Sequence, residues 1–287
     1  MKSISIKLFI SGLLFGFCAA CNLIEPVQPI PGYIEIDSIS LSTDYLTQGS
    51  ASKRITDAWV YVDDELAGVY ELPTSFPILK TGAHKVSVRG GIMVDGIAAT
   101  RSAYPFYKFY ETSLTIDEKK DVKINPMVQY FPGITFEWIE DFEDPGFTID
   151  SINGSSVSMK RSGTEVFEGN ASGEVDLDAG HTAFYGQSYN QWVLPRGGTQ
   201  VFLELNYKSN NTFRTGIIAY TTTGDQVDTV LNINPTAGEW KKIYINITDA
   251  VSTYTNTINN RIFFAMEKAE GLDTAKLYID NIKLIHP

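Results

Sequence analysis

The chain has 287 residues and a formal net charge of −11, with 43% hydrophobic and 12% aromatic residues. This length suffices for two domains, and the apolar content suffices for folding by burial without cross-links. The acidic balance argues against a nucleic-acid partner, because nucleic-acid binding depends on clustered Lys and Arg that displace counterions.

The N-terminal segment has the pattern of an export signal. Lys2 and Lys7 flank the start of an apolar run from Leu8 to Phe17. This run is shorter than the roughly 20 apolar residues that a membrane-spanning helix needs. Two small residues then precede Cys21. Residues 1–20 are therefore predicted to be a signal peptide, and an ordinary secretory signal that is cleaved nearby is the alternative.

The end of this segment resembles the lipobox of bacterial lipoproteins, in which the cysteine after the cleavage site is acylated. The resemblance implies a covalent lipid on Cys21 that anchors the protein to a membrane. Cys18 is a departure, because the motif usually has an aliphatic residue there. The implied location is the outer membrane, on the cell surface or, as the alternative, on its periplasmic face.

Residues 21–32 are predicted to be an extended tether, because their three prolines disfavour helix and strand. Residues 33–128 are predicted to form a small β-sandwich, since apolar residues alternate and no window has a helical period. Asp63-Asp64 separates two strand-like runs and predicts a hairpin. The strand-like runs are Ile34–Leu41, Ala58–Val62, Leu66–Leu72, His84–Arg89, Thr112–Ile116 and Val122–Ile124. Val60–Gly68 and the strand after Gly82 resemble the scaffold modules of bacterial surface proteins.

Five aromatic residues lie within Tyr104–Tyr110. They are expected either to cover a junction between two domains or to form a docking patch for a partner, because large exposed apolar surfaces usually have a use.

A second β domain is predicted over residues 130–287, after the punctuation at Asn125-Pro126 and Phe131-Pro132-Gly133. Only Thr248–Thr257 has a pattern that favours a helical turn. The strand-like runs are Val201–Tyr207, Arg214–Thr221, Val227–Ile233, Trp240–Ile247, Arg261–Met266 and Lys276–Ile285. The predicted fold class is therefore all-β, with two β-sandwich domains.

Four segments of the second domain occur together in a known fold: Trp138–Asp144, Phe167–Gly173, Gly238–Lys242 and Leu277–Ile282. They resemble the jelly-roll carbohydrate-binding modules and the wider galactose-binding-like domains. The resemblance implies a C-terminal jelly roll with a polysaccharide or other glycan as partner. It is weaker for the ligand than for the fold, since this sandwich serves many partners.

Many modules of this kind hold a structural calcium ion between their opening and closing strands. Carried over by position, the resemblance implies Glu143 and Asp280 as carboxylate ligands, with Glu168 or a nearby carbonyl contributing. Calcium prefers such oxygen ligands. The alternative is that Glu143 and Asp280 are solvated residues at strand edges.

The segment His181–Trp192 is the richest in side chains that suit a sugar, which needs flat aromatic faces and polar partners. Tyr185, Tyr189 and Trp192 are the candidate ligand-binding residues. The alternative is a core role, because aromatic residues dominate β-sandwich cores. Core positions are expected for three other tryptophans: Trp59, Trp138 and Trp240.

No catalytic residue is predicted. The three histidines lack metal-ligand spacing, and neither a nucleophile elbow nor a phosphate loop is present. A glycoside hydrolase would need two carboxylates that face each other across a cleft. The available carboxylates instead cluster on one predicted strand: Glu137, Glu140, Asp141 and Glu143.

The sequence therefore predicts a non-catalytic outer-membrane lipoprotein that binds a glycan through its C-terminal jelly roll. The alternative is an accessory protein-interaction subunit of an outer-membrane transport, secretion or assembly complex, with Tyr104–Tyr110 as its docking surface. Triplets such as Asp37-Ser38-Ile39 and Asp150-Ser151-Ile152 resemble O-glycosylation sites of exported Bacteroidota proteins.

Overall fold

The computed structural model describes residues 29–287. The predicted signal peptide, the lipid-attachment residue Cys21 and most of the predicted tether therefore lie outside the described residues. The structure is 54% strand and 4% helix, which confirms the all-β fold class. Within the described part of the chain, neither helix has the length and apolar character to cross a bilayer.

The elements divide into two sandwiches along the chain. The first contains helix α1 (Tyr45–Gln48) and strands β1 (Gly32–Ile36), β2 (Ser40–Ser42), β3 (Asp57–Val62), β4 (Glu65–Glu71), β5 (Thr74–Ile78), β6 (Gly82–Met93), β7 (Arg101–Ala103), β8 (Tyr110–Ile116), β9 (Asp121–Ile124) and β10 (Met127–Gln129). The second contains helix α2 (Thr248–Thr253) and strands β11 (Thr135–Glu140), β12 (Ile149–Ser151), β13 (Lys160–Ser162), β14 (Ser172–Leu177), β15 (Ala183–Ser188), β16 (Phe202–Ser209), β17 (Phe213–Thr221), β18 (Gly224–Ile233), β19 (Lys241–Asn246), β20 (Thr257–Glu267) and β21 (Ala275–His286).

The first sandwich has its core between a five-stranded sheet and two smaller sheets. The larger sheet has the order β4-β3-β6-β7, with β8 also paired to β6, and the smaller ones are β5-β1-β9 and β10-β2. Alternate residues of β1, β3 and β6 point into this core, as the period of a strand requires. Asp63 and Asp64 have φ values of 52° and 64°, so both central residues of the β3–β4 hairpin are left-handed, as its tight turn demands.

The second sandwich encloses the largest hydrophobic core of the described residues. One wall is a six-stranded sheet with the order β13-β14-β21-β16-β19, in which β11 also pairs with β21. The other wall is a five-stranded sheet with the order β12-β15-β20-β17-β18. We call the first the junction sheet, because its outer face meets the first sandwich, and the second the distal sheet.

Aromatic side chains fasten the two sandwiches together. Tyr104, Phe106 and Tyr107 are almost completely buried. The ring of Tyr104 lies 5.3 Å from that of Phe202 and 5.0 Å from that of Tyr244, both on the junction sheet. The interpretation of Tyr104–Tyr110 as a domain junction is therefore confirmed for these three residues.

A buried charge cluster lies at the same junction. The fully buried carboxylate of Glu204 accepts hydrogen bonds from the hydroxyls of Tyr104 (2.7 Å) and Tyr130 (2.9 Å). The ammonium Nζ of Lys242 lies 3.0 Å from the other carboxylate oxygen of Glu204. These two atoms form an ion pair, but their geometry is not that of a hydrogen bond. Burial alone would raise the pKa of Glu204, but the positive charges of Lys242 and Lys283 outweigh it and lower that pKa. The carboxylate is therefore ionised inside the junction.

Only one of the three tryptophans expected in a core lies there. Trp138 is 3% exposed and belongs to the core of the second sandwich. The expectation is wrong for Trp59 and Trp240, which are half-buried and lie outside the cores. Trp240 instead packs against Phe167 and Tyr278. A shift of one residue along a strand moves a side chain to the opposite face, so the apolar character of a tryptophan alone does not show whether it faces the core.

Candidate functional site

A groove crosses the outer face of the distal sheet. Along β20, the side chains of Ile262 and Phe264 point into the core, whereas the alternate residues Phe263 and Ala265 point to the outer face of the sheet. The groove has a volume of about 580 Å³, which falls in the range that ligand sites usually occupy. It is therefore built from the side chains that the strand period turns away from the core.

The floor of the groove is apolar. Ile218, Phe263 and Ala265 form a small cluster of their own on this face, separate from the core beneath the sheet. Ile152 and Tyr185 pack against that cluster from the side. Ile218, Phe263 and Ala265 are 2–6% exposed, so the side chains around them already cover most of this apolar surface. Polar side chains border the floor: Asn153, Arg214, Thr229 and Asn232.

Three side chains from neighbouring strands are joined at one side of the groove. The hydroxyl of Tyr185 donates to Glu267 at 2.6 Å, and the guanidinium of Arg214 contacts the same carboxylate oxygen at 3.0 Å. The guanidinium carbon also lies 5.9 Å from the centre of the Tyr185 ring. The hydrogen bond from Tyr185 and the charge of Arg214 lower the pKa of Glu267, so this carboxylate is an ionised acceptor. These contacts orient the tyrosine ring.

Polar and aromatic groups continue along the same face. The hydroxyl of Tyr220 donates to Gln187 at 3.4 Å, and the guanidinium of Arg261 lies 5.8 Å from the Tyr220 ring. The buried Nε of Arg261 has no hydrogen-bond partner among the described residues. The face therefore offers a second tyrosine ring and further hydrogen-bonding groups beside the groove.

The structure separates the three predicted ligand-binding residues. Tyr185 lines the groove. Tyr189 is 62% exposed but lies in the loop after β15 and outside the groove lining, so its predicted role stays untested. The prediction for Trp192 is wrong, because this side chain is 7% exposed and lies in the core with its ring 5.5 Å from Trp138.

Sequence reasoning missed Arg214 and Phe263, which line the groove, and Glu267, which contacts Tyr185 and Arg214 beside it. Arg214 and Phe263 lie in runs that were predicted as strands, whereas Glu267 is the last residue of β20, one residue beyond the predicted run. The available signal was the alternation of β20, which sets Phe263, Ala265 and Glu267 on the face opposite to the core. Only the pairing of β15, β20 and β17 brings them beside Tyr185.

Two of the predicted calcium ligands clamp one loop. Glu143 accepts hydrogen bonds from two backbone amides at the C-terminal end of the 167–171 loop, at 2.7 and 3.2 Å. Asp280 accepts hydrogen bonds from two backbone amides at the N-terminal end of this loop, both at 3.2 Å. The alternative of a solvated residue is wrong for Asp280, which is fully buried and whose pKa is raised by burial to about 7.

Glu168 has different partners. Its carboxylate accepts from the hydroxyl of Ser50 and from the side-chain amide of Asn281. Within residues 29–287, no group of three or more His, Cys, Asp or Glu side chains is arranged to hold a metal ion. Glu143, Glu168 and Asp280 are therefore not arranged as one set of metal ligands in this structure, and calcium binding stays a prediction from the sequence.

The carboxylates considered for glycoside hydrolysis have structural partners. Glu140 is buried and accepts from the backbone amides of Phe142 (2.9 Å) and Thr148 (2.7 Å). Glu137 lies 3.1 Å from the imidazole of His286.

The segment Tyr104–Tyr110 leaves little surface for a partner protein. Phe109 is 40% exposed and Tyr110 is half-buried, while its other three aromatic residues are buried at the junction. The docking surface that was the alternative interpretation is therefore reduced to the end of this segment.

No family model and no curated protein matches this sequence. Solved structures with a similar arrangement include a family 22 carbohydrate-binding module of Clostridium thermocellum, at 15% identity and a TM-score of 0.38, covering 53% of this chain and 94% of that one. A family 11 carbohydrate-binding module of a cellulosomal cellulase of the same organism has 20% identity and a TM-score of 0.36, covering 54% and 95%. A cleaved adhesin domain of the Lys-gingipain of Porphyromonas gingivalis has 14% identity and a TM-score of 0.36, covering 53% and 99%.

Proposed function

We propose that this protein binds a glycan without catalysis, in the groove on the outer face of the distal sheet. The observation that carries the proposal is the combination in one groove of an apolar floor, an oriented tyrosine ring and hydrogen-bonding side chains. A sugar ring has an apolar face of C–H groups and a rim of hydroxyls. The groove has the matching division, with an apolar base and a polar border.

Each side chain has a defined part in this proposal. The half-buried ring of Tyr185 covers the C–H face of a sugar, because burial of apolar surface from water is favourable. The ionised carboxylate of Glu267 accepts hydrogen bonds from hydroxyls, and Arg214 donates to ring or hydroxyl oxygens. Since Tyr185, Arg214 and Glu267 already contact one another, little side-chain freedom is lost on binding.

Affinity electrophoresis of the purified chain against neutral and acidic polysaccharides tests the proposal. We expect retardation by at least one polysaccharide, and a loss of at least tenfold in affinity for the Tyr185→Ala variant. Tyr45→Ala is the matched control, because Tyr45 is 44% exposed and belongs to the first sandwich. Retardation by no polysaccharide, or equal losses for both variants, would contradict the proposal.

A lipid anchor on Cys21 is a separate proposal, supported by the sequence pattern alone. The lipid attaches the chain to the outer membrane, either on the cell surface or on the periplasmic face. Cys21→Ser should release the protein from the membrane fraction, and partition of this variant wholly with the envelope lipids would contradict the anchor. Protease treatment of whole cells distinguishes the two faces of the membrane.

Calcium binding by Glu143, Glu168 and Asp280 is a third proposal, supported by the sequence resemblance alone. The carboxylates would have to exchange amide hydrogen bonds for metal bonds. We expect the melting temperature of the protein to fall in EDTA and to recover when calcium is added. A melting temperature that EDTA and calcium leave unchanged would refute it.

A further inference from the structure

A small cavity lies where the first sandwich meets the edge of the junction sheet. Its volume is about 210 Å³. Lys53 and Arg54 from the first sandwich line one side, and the start of β19 with Lys241 and Lys242 lines another. No carboxylate belongs to the lining among the described residues. Four basic residues thus line one cavity in a protein whose net charge is −11.

Three of these cations are not neutralised. Lys242 is paired with the buried carboxylate of Glu204. Lys53, Arg54 and Lys241 form no salt bridge with any residue in the range 29–287, whereas ion pairs engage other basic residues, such as Lys208 with Glu165. Like charges that are held close together repel, and an anion between them converts that repulsion into attraction.

A buried amide lines the same cavity. Asn206 is 1% exposed, and neither its Oδ1 nor its Nδ2 has a hydrogen-bond partner among the described residues. In the strand register it lies between Lys242 on β19 and Asp280 on β21. The Asp280 carboxylate is taken by backbone amides and does not satisfy it. Buried polar groups are nearly always paired, so an unpaired amide in a cavity points to a ligand that pairs with it.

Two aromatic side chains complete the lining. The rings of Phe167 and Trp240 are 5.8 Å apart, and Phe167 is 40% exposed. They add apolar surface to the lining, so a group that enters the cavity meets basic residues, an amide donor and two aromatic rings.

We propose that this cavity binds an oxyanion group: a carboxylate, a sulfate or a phosphate. The guanidinium of Arg54 and the ammonium groups of Lys53 and Lys241 supply the charge, and the Nδ2 of Asn206 donates at the base of the cavity. The site lies on the junction sheet and the glycan groove on the distal sheet, so this proposal does not depend on the glycan proposal.

Isothermal titration of the purified chain at low ionic strength tests the site, with sodium sulfate, sodium phosphate, digalacturonate and neutral digalactose as probes. We expect charged probes to bind and the neutral one to show no heat at this site. Arg54→Gln and Lys241→Gln should each weaken binding at least tenfold, and added salt should weaken it further. Lys119→Gln is the matched control, because Lys119 is an exposed lysine in the β8–β9 turn that lines no part of the cavity, and it should stay within twofold.

The probes also identify the source of the anion. Tighter binding of digalacturonate than of the inorganic ions means that the oxyanion is carried on a sugar, and the reverse order means a free ion. Failure of every charged probe to bind, digalactose binding that Arg54→Gln and Lys241→Gln weaken as much as they weaken binding of the charged probes, or affinities of these variants for the charged probes within twofold of the parent would overturn the proposal.

Asn206→Leu separates a ligand role from a structural one. Leucine has nearly the shape of asparagine and carries no polar group to leave unpaired. We expect this variant to lose at least tenfold in affinity for the charged probe while its melting temperature is unchanged or higher. A fall in melting temperature with unchanged affinity would show that the amide serves the fold, against the proposal.

Discussion

Trp192 is the residue at which a core role and a ligand-binding role differ most clearly. Its side chain is 7% exposed, and its ring packs against that of Trp138. Its backbone also forms a bridge with Asn260 on β20, which holds the segment after β15 against the sandwich edge. Replacement by alanine therefore removes a large buried ring and leaves a cavity beside Trp138.

The size of this loss follows from the burial. Truncating a buried tryptophan to alanine costs about 3–5 kcal/mol, since both transfer energy and cavity energy are lost. For a domain of this size, that corresponds to a fall of roughly 6–20 °C in melting temperature. We expect Trp192→Ala to show this fall, with unchanged glycan affinity of the folded protein.

The assay combines urea denaturation with glycan titration at a temperature where the variant is folded. Tyr189→Ala is the comparison, because Tyr189 lies in the same segment but is 62% exposed, and surface substitutions usually change stability by less than about 0.5 kcal/mol. Unchanged stability of Trp192→Ala together with lost glycan binding would refute the core placement.

Three further predictions concern the junction and the first sandwich. Burial lowers the pKa of Lys283 to about 7, so its charged form is disfavoured in the folded protein. Relative to Lys283→Met, the wild type should therefore gain stability as pH rises from 7 to 10, by at most about 5 kcal/mol. Parallel profiles of stability against pH for the two proteins would contradict this. Tyr104→Phe removes one of the two hydroxyls that donate to Glu204 and should cost about 1–3 kcal/mol in urea unfolding without changing glycan affinity. Asp64→Gly should raise the free energy of unfolding by about 0.5 kcal/mol, because Asp64 has a φ of 64°; a lower melting temperature would argue against strain there.

Local patterns predicted several elements of both sandwiches. The alternating run before Asp63-Asp64 and the run after it form β3 and β4, joined by the tight turn. The helical turn expected within Thr248–Thr257 forms as α2 over Thr248–Thr253. Helix α1 was not predicted, although Asp44 caps it by accepting a hydrogen bond from the backbone amide of Leu46. These features depend on neighbours in sequence, which a single chain displays directly.

The sites depend on neighbours in space. Tyr185 and Trp192 belong to one aromatic segment, but β15 ends at Ser188 and the chain then turns Trp192 back into the core. Periodicity stops at the end of a strand, so it could not separate the two residues. The junction cluster is harder still, because Glu204, Lys242 and Lys283 lie on separate strands, whose register alone brings them together.

A crystal structure of the chain with an oligosaccharide that it retains is the most direct test of the glycan proposal. We expect a sugar ring in the groove of the distal sheet, with its C–H face on Tyr185 and with hydroxyls on Glu267 and Arg214. A sugar bound elsewhere on the chain, with these side chains in contact only with one another and solvent, would contradict it.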